Sequence, residues 1–447
     1  MPQAALRELL RIAGMAGEAT IAGADPVLRT PYRVGSAGAA ALAATGIAAA
    51  ELWKLRTGRT QRVAVDLAAA ASSLKSTAYL RINGQPPKAL WDPFSLFYAV
   101  RDGRRVRFHT NYPQHRAAAL GVLGVGEDVE AAKKAAALWD GLALEEAIHA
   151  AGGCAALVRS VEEWAAHAHS GAVAEQPLLE IERIGDAPPM PLPKADRPLS
   201  GIRVLDLTRV LAGPTAAKTL AEHGADVLKI TAAHLPDSGE TDIDTGIGKL
   251  SAQLDLREAR GVETLRNLVR EADVFSQSYR PGTLGARGFS PEALARLRPG
   301  IVYVSLSAWG PTGPWKDRRG FDSIVQCVSG MAAVQGGSGE PKLLPCSAID
   351  YVSGYLMAFG AMVALARRAK EGGSWRVRVA LARVGKWIVD RGLVDAAQAV
   401  EPPGATMDTP SPAGLITHLK PVVQLSETPA YWARPPVPLG HHRAEWP

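Results

Sequence analysis

The chain has 447 residues, enough for two or three domains around a sizeable core. With 47% apolar and 21% charged residues, its composition excludes a disordered or fibrous chain. The formal charge of +6 is spread along the chain without basic runs or interleaved aromatics. The sequence therefore carries no nucleic-acid footprint and suits a phosphate-bearing small molecule better.

The N-terminus, MPQAALRELLRIAG, has no uninterrupted apolar stretch, so no signal peptide is expected. Residues 34–50 are uncharged but mostly Ala and Gly, and too few to span a bilayer; they read as a buried, closely packed helix. Cys154, Cys327 and Cys346 have no metal spacing and leave one unpaired in any disulfide scheme. That implies a reducing cytoplasm, with no metal and no membrane.

A helix–strand–helix over 37–75 is followed by the loop GQPPKALWDPFS (84–95). FYAVRDGRRVRFHT (97–110) reads as a hairpin turning at Asp102-Gly103. Helices follow at 113–123 and 127–151, the second broken near Gly141. The expected organisation is an N-terminal segment at 1–83, a small α+β domain at 84–190, a large domain at 199–395, and a linker with C-terminal tail at 396–447. Two Pro-rich stretches, DAPPMPLPKADRP (186–198) and EPPGATMDTPSP (401–412), read as exposed linkers.

The middle segment alternates in the α/β manner. Strands are expected at RVLDL (203–207), DVLKI (226–230), AQLDL (252–256), DVFSQSY (273–279) and IVYVSLSAW (301–309). Helices fall between them at 216–224, 257–272 and 291–299. Such units build a Rossmann-like parallel sheet, with ligands at the carboxyl ends of the strands.

One carboxylate, Asp350, enters a long apolar stretch, 351–366. A charge there is costly unless something uses it. On position alone it is either a helix N-cap or a catalytic group. An internal repeat bears on the choice: residues 42–68 align without gaps on 356–382, with ten of 27 positions identical. At the same offset Asp350 falls on Ser36. A serine would replace a cap, whereas it would leave a nucleophilic site inert.

No GxGxxG follows a strand, and neither a Walker A run nor a G-x-S-x-G elbow occurs. The histidines have no metal spacing. What the chain does contain is LSGIRVLDLTRVLAGPTAAKTLAEHGADVLKI (199–230), KLSAQLDL (249–256) and ADVFSQSYRPGTLGARGF (272–289). It continues with VYVSLSAWGPTGPWKDRRGFDSIVQCVSGM (302–331) and AIDYVSGYLMAFGAMVAL (348–365). These five blocks closely resemble the family III CoA-transferases, the group of formyl-CoA transferase, carnitine CoA-transferase and α-methylacyl-CoA racemase. Residues 102–124 and 147–167 resemble that family's small domain, and 422–442 its extreme C-terminus, so the family order is permuted here.

The resemblance implies a large Rossmann-like domain, a smaller α+β domain and an interlocked homodimer. It implies CoA transfer between an acyl-CoA and a free carboxylic acid, with coenzyme A as substrate and product and no tightly bound cofactor. Asp350 falls where the family carries its catalytic aspartate, which forms aspartyl anhydride and aspartyl-CoA intermediates. The CoA site implied is Arg209, Val210, Leu211 and Ala212, with Lys249, Ser278, Tyr279, Arg287 and Phe321. Phe321 stands where the racemase branch has its proton-moving histidine, and phenylalanine is no general base. Transfer is therefore favoured over racemisation, with Asp322 as a structural residue, a helix cap. A degenerate CoA-binding protein is the other alternative. It is suggested by Thr231-Ala232 in place of an acidic residue and proline, Leu250 in place of a basic one, and Ala286 in place of arginine. Gly310, Gly313 and Gly330 read either as tight loops serving the site or as ordinary turn glycines.

Overall fold

The computed structural model describes residues 1–88, 91–397 and 399–447. Its centre is a seven-stranded sheet. In spatial order the strands are Lys249–Gln253, Asp226–Thr231, Arg203–Leu207, Val274–Gln277, Val302–Ser307, Ser374–Ala380 and Glu180–Gly185. All neighbours pair in parallel except the last two. Strand order reverses between Arg203–Leu207 and Val274–Gln277, and a crevice opens at such a switch point beyond the strand ends.

Alternation along the strands divides the core in two. Val204, Val227, Val274 and Val302 face the helices Ala212–Glu222 and Ala348–Glu371, and Val34–Thr57 packs on the latter within the same core. Leu205, Leu228, Phe275 and Tyr303 face the other side, where Ala259–Arg270 and Pro291–Leu297 cover them. The two 24-residue helices, Val34–Thr57 and Ala348–Glu371, are long and apolar enough to cross a membrane, yet 89% and 100% of their apolar windows lie buried inside the protein. They pack against each other.

The hairpin Phe97–Ala99 and Arg105–Phe108 turns at Gly103 and pairs with Ala155–Leu157. The helices Pro113–Leu123, Val129–Ala136 and Gly141–Ala150 close a separate small core over it. Part of the loop expected over 84–95, residues 89 and 90, lies outside the described residues.

Three local expectations are corrected. The strand read as AQLDL begins three residues earlier, at Lys249, because its lysine is neutralised inside the protein rather than exposed. The stretch 401–412, read as a linker, contains Thr406–Ser411, which forms a hairpin with Gly414–Leu419. Pro410 is tolerated because this strand is an edge. Glu180–Gly185, within the segment read as small domain, joins the large sheet antiparallel to Ser374–Ala380. Its Ile-Glu-Arg-Ile alternation suits an edge whose charges pair with Arg376 and Arg378.

Candidate active site

The first sheet strand ends on a fully buried carboxylate, Asp206. Its Oδ1 accepts from the backbone N–H of Thr208 at 3.0 Å and from the Thr208 hydroxyl, and its Oδ2 accepts from Lys249 Nζ at 2.8 Å. Lys249 also donates to the Pro214 carbonyl at 2.8 Å and is 1% exposed. Burial pulls its ammonium down to about 8 against the pull of Asp206. Lys249 thus lies beneath the turn, fixing it from inside. Above it the chain passes through Val210, whose φ of 71° puts a β-branched residue in the left-handed region. Strain of this kind persists only where the surroundings impose it, and it clusters at ligand sites. Arg209 N–H reaches Ser278 Oγ at 3.1 Å, which fastens this turn to the one after Val274–Gln277.

Asp350 sits in the first turn of Ala348–Glu371 and is 8% exposed. It does not cap its helix. Asp322 does: its Oδ2 accepts from the backbone N–H groups of Ile349 at 2.9 Å and Asp350 at 3.1 Å, while Gln326 holds the other oxygen. Asp322 therefore caps the aspartate helix, not the short helix Asp322–Val328 that it begins. Gly354, one turn beyond Asp350, lets the helix lie against the Ala212 carbonyl; a Cβ there would approach that oxygen to 2.5 Å. Asp350 is thereby set beside the strained turn. Burial raises its carboxyl well above the ordinary range, and the neighbouring Asp322 adds to the rise. Asp322 itself is raised to about 6 by burial, against the hydrogen bonds it accepts.

Two cavities meet at Asp350. The smaller, of about 290 Å³, is lined by Arg209, Val210, Ala212, Ser278, Tyr279 and Phe321. It also receives Arg280, Lys316, Arg318 and Arg319, and, from the N-terminal half, Tyr112 and His115. Arg318 pairs with Glu146, and Arg209 lies 5.5 Å from the Tyr112 ring centre. Among the described residues, Arg280, Lys316 and Arg319 have no acidic partner. Burial lowers Arg319, and the charge of Arg280 lowers it further. Convergent cations of this kind are built for an anion. The larger cavity, of about 730 Å³, shares Val210, Tyr112, Phe321 and Asp350 and adds Leu211 and His109.

Of the residues expected at the site, Asp350, Arg209, Val210, Leu211, Ala212, Ser278, Tyr279 and Phe321 are brought together around these cavities. Lys249 and Arg287 line neither. Arg287 donates to the carbonyls of Leu256 and Thr283, both at 3.2 Å, at the outer rim. Phe321 separates the cavities and stacks on His109 with ring centres 3.7 Å apart. Gly310, Gly313 and Gly330 take positive φ where Gln176, His169 and Val161 press against them, which locks the loop carrying Lys316–Arg319. Sequence reasoning missed the Lys316–Arg319 cluster, Tyr112 and His115. The first is visible as the tight Lys-Asp-Arg-Arg run; the other two leave no local signal.

The sequence matches the model of CoA-transferase family III over residues 10–190 and 199–415. It is 36% identical over 200 residues to the acetyl-coenzyme A transferase nodX of Hypoxylon pulicicidum, covering 43% of this chain and 34% of that protein. It is 33% identical over 189 residues to the human succinyl-CoA:glutarate CoA-transferase, covering 39% and 43%. The chain thus spans less than half the length of either relative. The crystal structure of Rv3272 from M. tuberculosis shares the fold, with a TM-score of 0.50 and 22% identity, over 56% of this chain and 99% of that one.

Proposed function

Because the chain belongs to CoA-transferase family III, we propose that it moves CoA from an acyl-CoA thioester to a free carboxylic acid, with Asp350 as nucleophile. The observation that carries the reading is the position of Asp350: a buried carboxylate, relieved of capping by Asp322, where a cation-lined cavity meets a larger one.

Asp350 attacks the thioester carbonyl; the C–S bond breaks, leaving an aspartyl–acyl anhydride and CoA thiolate. The thiolate attacks the aspartyl carbonyl and expels the first acid, giving an aspartyl-CoA thioester. The acceptor carboxylate then attacks that carbonyl, releasing thiolate and forming a new anhydride. Thiolate attack on the acceptor's acyl carbon yields the new acyl-CoA and restores Asp350. Covalent catalysis keeps the thioester energy, provided water is excluded. Burial and Asp322 make Asp350 more basic than an exposed carboxylate, which strengthens it as a nucleophile once ionised. Arg209, Arg280, Lys316 and Arg319 suit the CoA phosphates, and Tyr279 offers a flat face for the adenine. Lys249 acts on this site indirectly, through Asp206 and the Val210 turn. Three buried, unpaired cysteines support a reducing compartment. The resemblance extends the reading to a homodimer, which light scattering tests.

The decisive experiment incubates the protein with an acyl-CoA and a ¹³C-labelled acid, then follows label into acyl-CoA by mass spectrometry. Exchange is expected, together with a CoA adduct on the peptide bearing Asp350. Deuterium entering the α-carbon without acid exchange would replace transfer by racemisation. CoA binding with neither reaction would leave a degenerate binding protein.

A further inference from the structure

The two cavities meeting at Asp350 carry opposite charge. Around the smaller, Arg209, Arg280, Lys316, Arg318 and Arg319 face the single carboxylate of Asp350. Around the larger, among the described residues, only Lys75 and Lys88 supply cations, against Asp92, Asp237, Glu240, Asp322 and Asp350. Lys75 is already paired with Glu401 at 2.7 Å, and Asp92 with Arg116 at 3.1 Å. Lys88 is exposed at the rim. A CoA thioester carries its negative charge on the phosphates, so its nucleotide half is drawn to the smaller cavity. Its acyl half then crosses Asp350 into the larger.

The lining of the larger cavity mixes apolar side chains with the buried Asp322, Ser323 and Gln326, and its buried members include no cation among the described residues. Leu211, Leu343, Leu344 and Phe321 contribute to it. His109 is buried there with Nδ1 3.3 Å from Ser323 Oγ and, among the described residues, no partner for Nε2. Burial keeps that imidazole neutral, so it offers a hydrogen bond but no countercharge. A second carboxylate on an acyl chain would enter past Asp237 and Glu240 and find, among the described residues, no unpaired cation inside. At about 730 Å³, the space also far exceeds what an acetyl group fills.

We infer that the larger cavity is the acyl site and selects a bulky carboxylic acid lacking a second carboxylate. The inference rests on the transfer reading above and narrows its substrate class. It also separates this chain from what the name of its human relative describes, a succinyl and glutarate enzyme.

The test is self-exchange, in which each ¹³C-acid is paired with its own CoA thioester so that no separate donor biases the result. The panel is cyclohexanecarboxylate, phenylacetate, acetate, succinate and glutarate. The two cyclic acids should exceed the dicarboxylates in kcat/KM by at least about tenfold, the scale of one misplaced like charge. They should also exceed acetate. The rim variant Asp237→Lys/Glu240→Lys, compared at matched melting temperature, should narrow the gap for succinate and glutarate. Dicarboxylates or acetate matching the cyclic acids would overturn the inference while leaving transfer intact. Exchange with no acid, and no CoA adduct on Asp350, would remove the transfer reading and this inference together.

Discussion

The helices Val34–Thr57 and Ala348–Glu371 are two copies of one design put to different use. Each runs 24 residues, ends on a glycine with positive φ (Gly58, Gly372) and packs a glycine against a valine of the following strand. A Cβ at Gly46 would meet Val63 at 2.5 Å, and one at Gly360 would meet Val377 at 2.5 Å. Even the caps correspond. Asp25 accepts from the backbone N–H groups of Gly35 at 3.1 Å and Ser36 at 2.8 Å, as Asp322 does from Ile349 and Asp350. The differences at the head of the helix include three on the site side: Asp350 becomes Ser36, Tyr351 becomes Ala37, and Gly354 becomes Ala40. The frame is kept in both copies, while the Asp350 carboxylate and the close approach of Gly354 to the Ala212 backbone occur in one. Capping cannot explain Asp350, since both copies carry a separate carboxylate for that task.

The largest expected effect comes from moving the charge between copies. Asp350→Asn should lower CoA exchange by about 10⁴-fold or more, as removal of a covalent nucleophile does, while CoA binding persists. Wild-type exchange in that variant would end the mechanism. Ser36→Asp should restore nothing, because Ser36 lines neither cavity. Ser36 is 2% exposed beside the Asp25 carboxylate, so the new charge should cost about 3–5 kcal/mol, read by urea denaturation.

Much of this contrast is legible in the sequence. Asp350, its neighbours after the first strand and the lone Ser36 follow from the repeat and the family blocks. The sheet follows from apolar runs such as RVLDL and IVYVSLS. What escaped has physical causes. Lys249 reads as a phosphate ligand because a buried, paired lysine and an exposed one look alike in a string of letters. Glu180–Gly185 and Thr406–Ser411 escaped because edge strands tolerate the charges and the proline that signal loops. Tyr112 and His115 reach the site from a segment more than 90 residues before the Arg209 turn, so no spacing rule connects them to it.

A smaller effect separates frame from site. Gly46→Ala and Gly360→Ala should cost alike, about 1–3 kcal/mol each, since an added Cβ meets a valine at 2.5 Å in both. Gly354→Ala presses on the Ala212 carbonyl instead. Its stability loss should be similar, but it alone should lower kcat/KM, by shifting Asp350 from the Val210 turn. Equal kinetic damage from all three would show that the frame, not the contact at Ala212, sets the site.

The smallest effects lie in the caps. Asp25→Ala and Asp322→Ala should each lose about 1 kcal/mol of stability, the ordinary worth of an N-cap. They diverge in pH dependence. Asp350 must be ionised to attack, and its carboxyl is held above the usual carboxylate range, first by burial and then by Asp322. Activity should therefore fall as pH drops through that raised value. Asp322→Asn keeps an oxygen for the cap and removes the like charge, so the acid limb of kcat/KM should move to lower pH. It should not reach the range of an exposed carboxylate, because burial remains. Stability should run the opposite way to activity. Below the raised value the native state holds a proton that the unfolded chain has lost, so stability declines as pH rises through it. Asp350→Asn should flatten that decline, and Asp25→Asn should leave both profiles in place. Asp25 and Asp322 thus do the same work for two helices, and only Asp322 has a second carboxylate beside it whose ionisation its charge shifts.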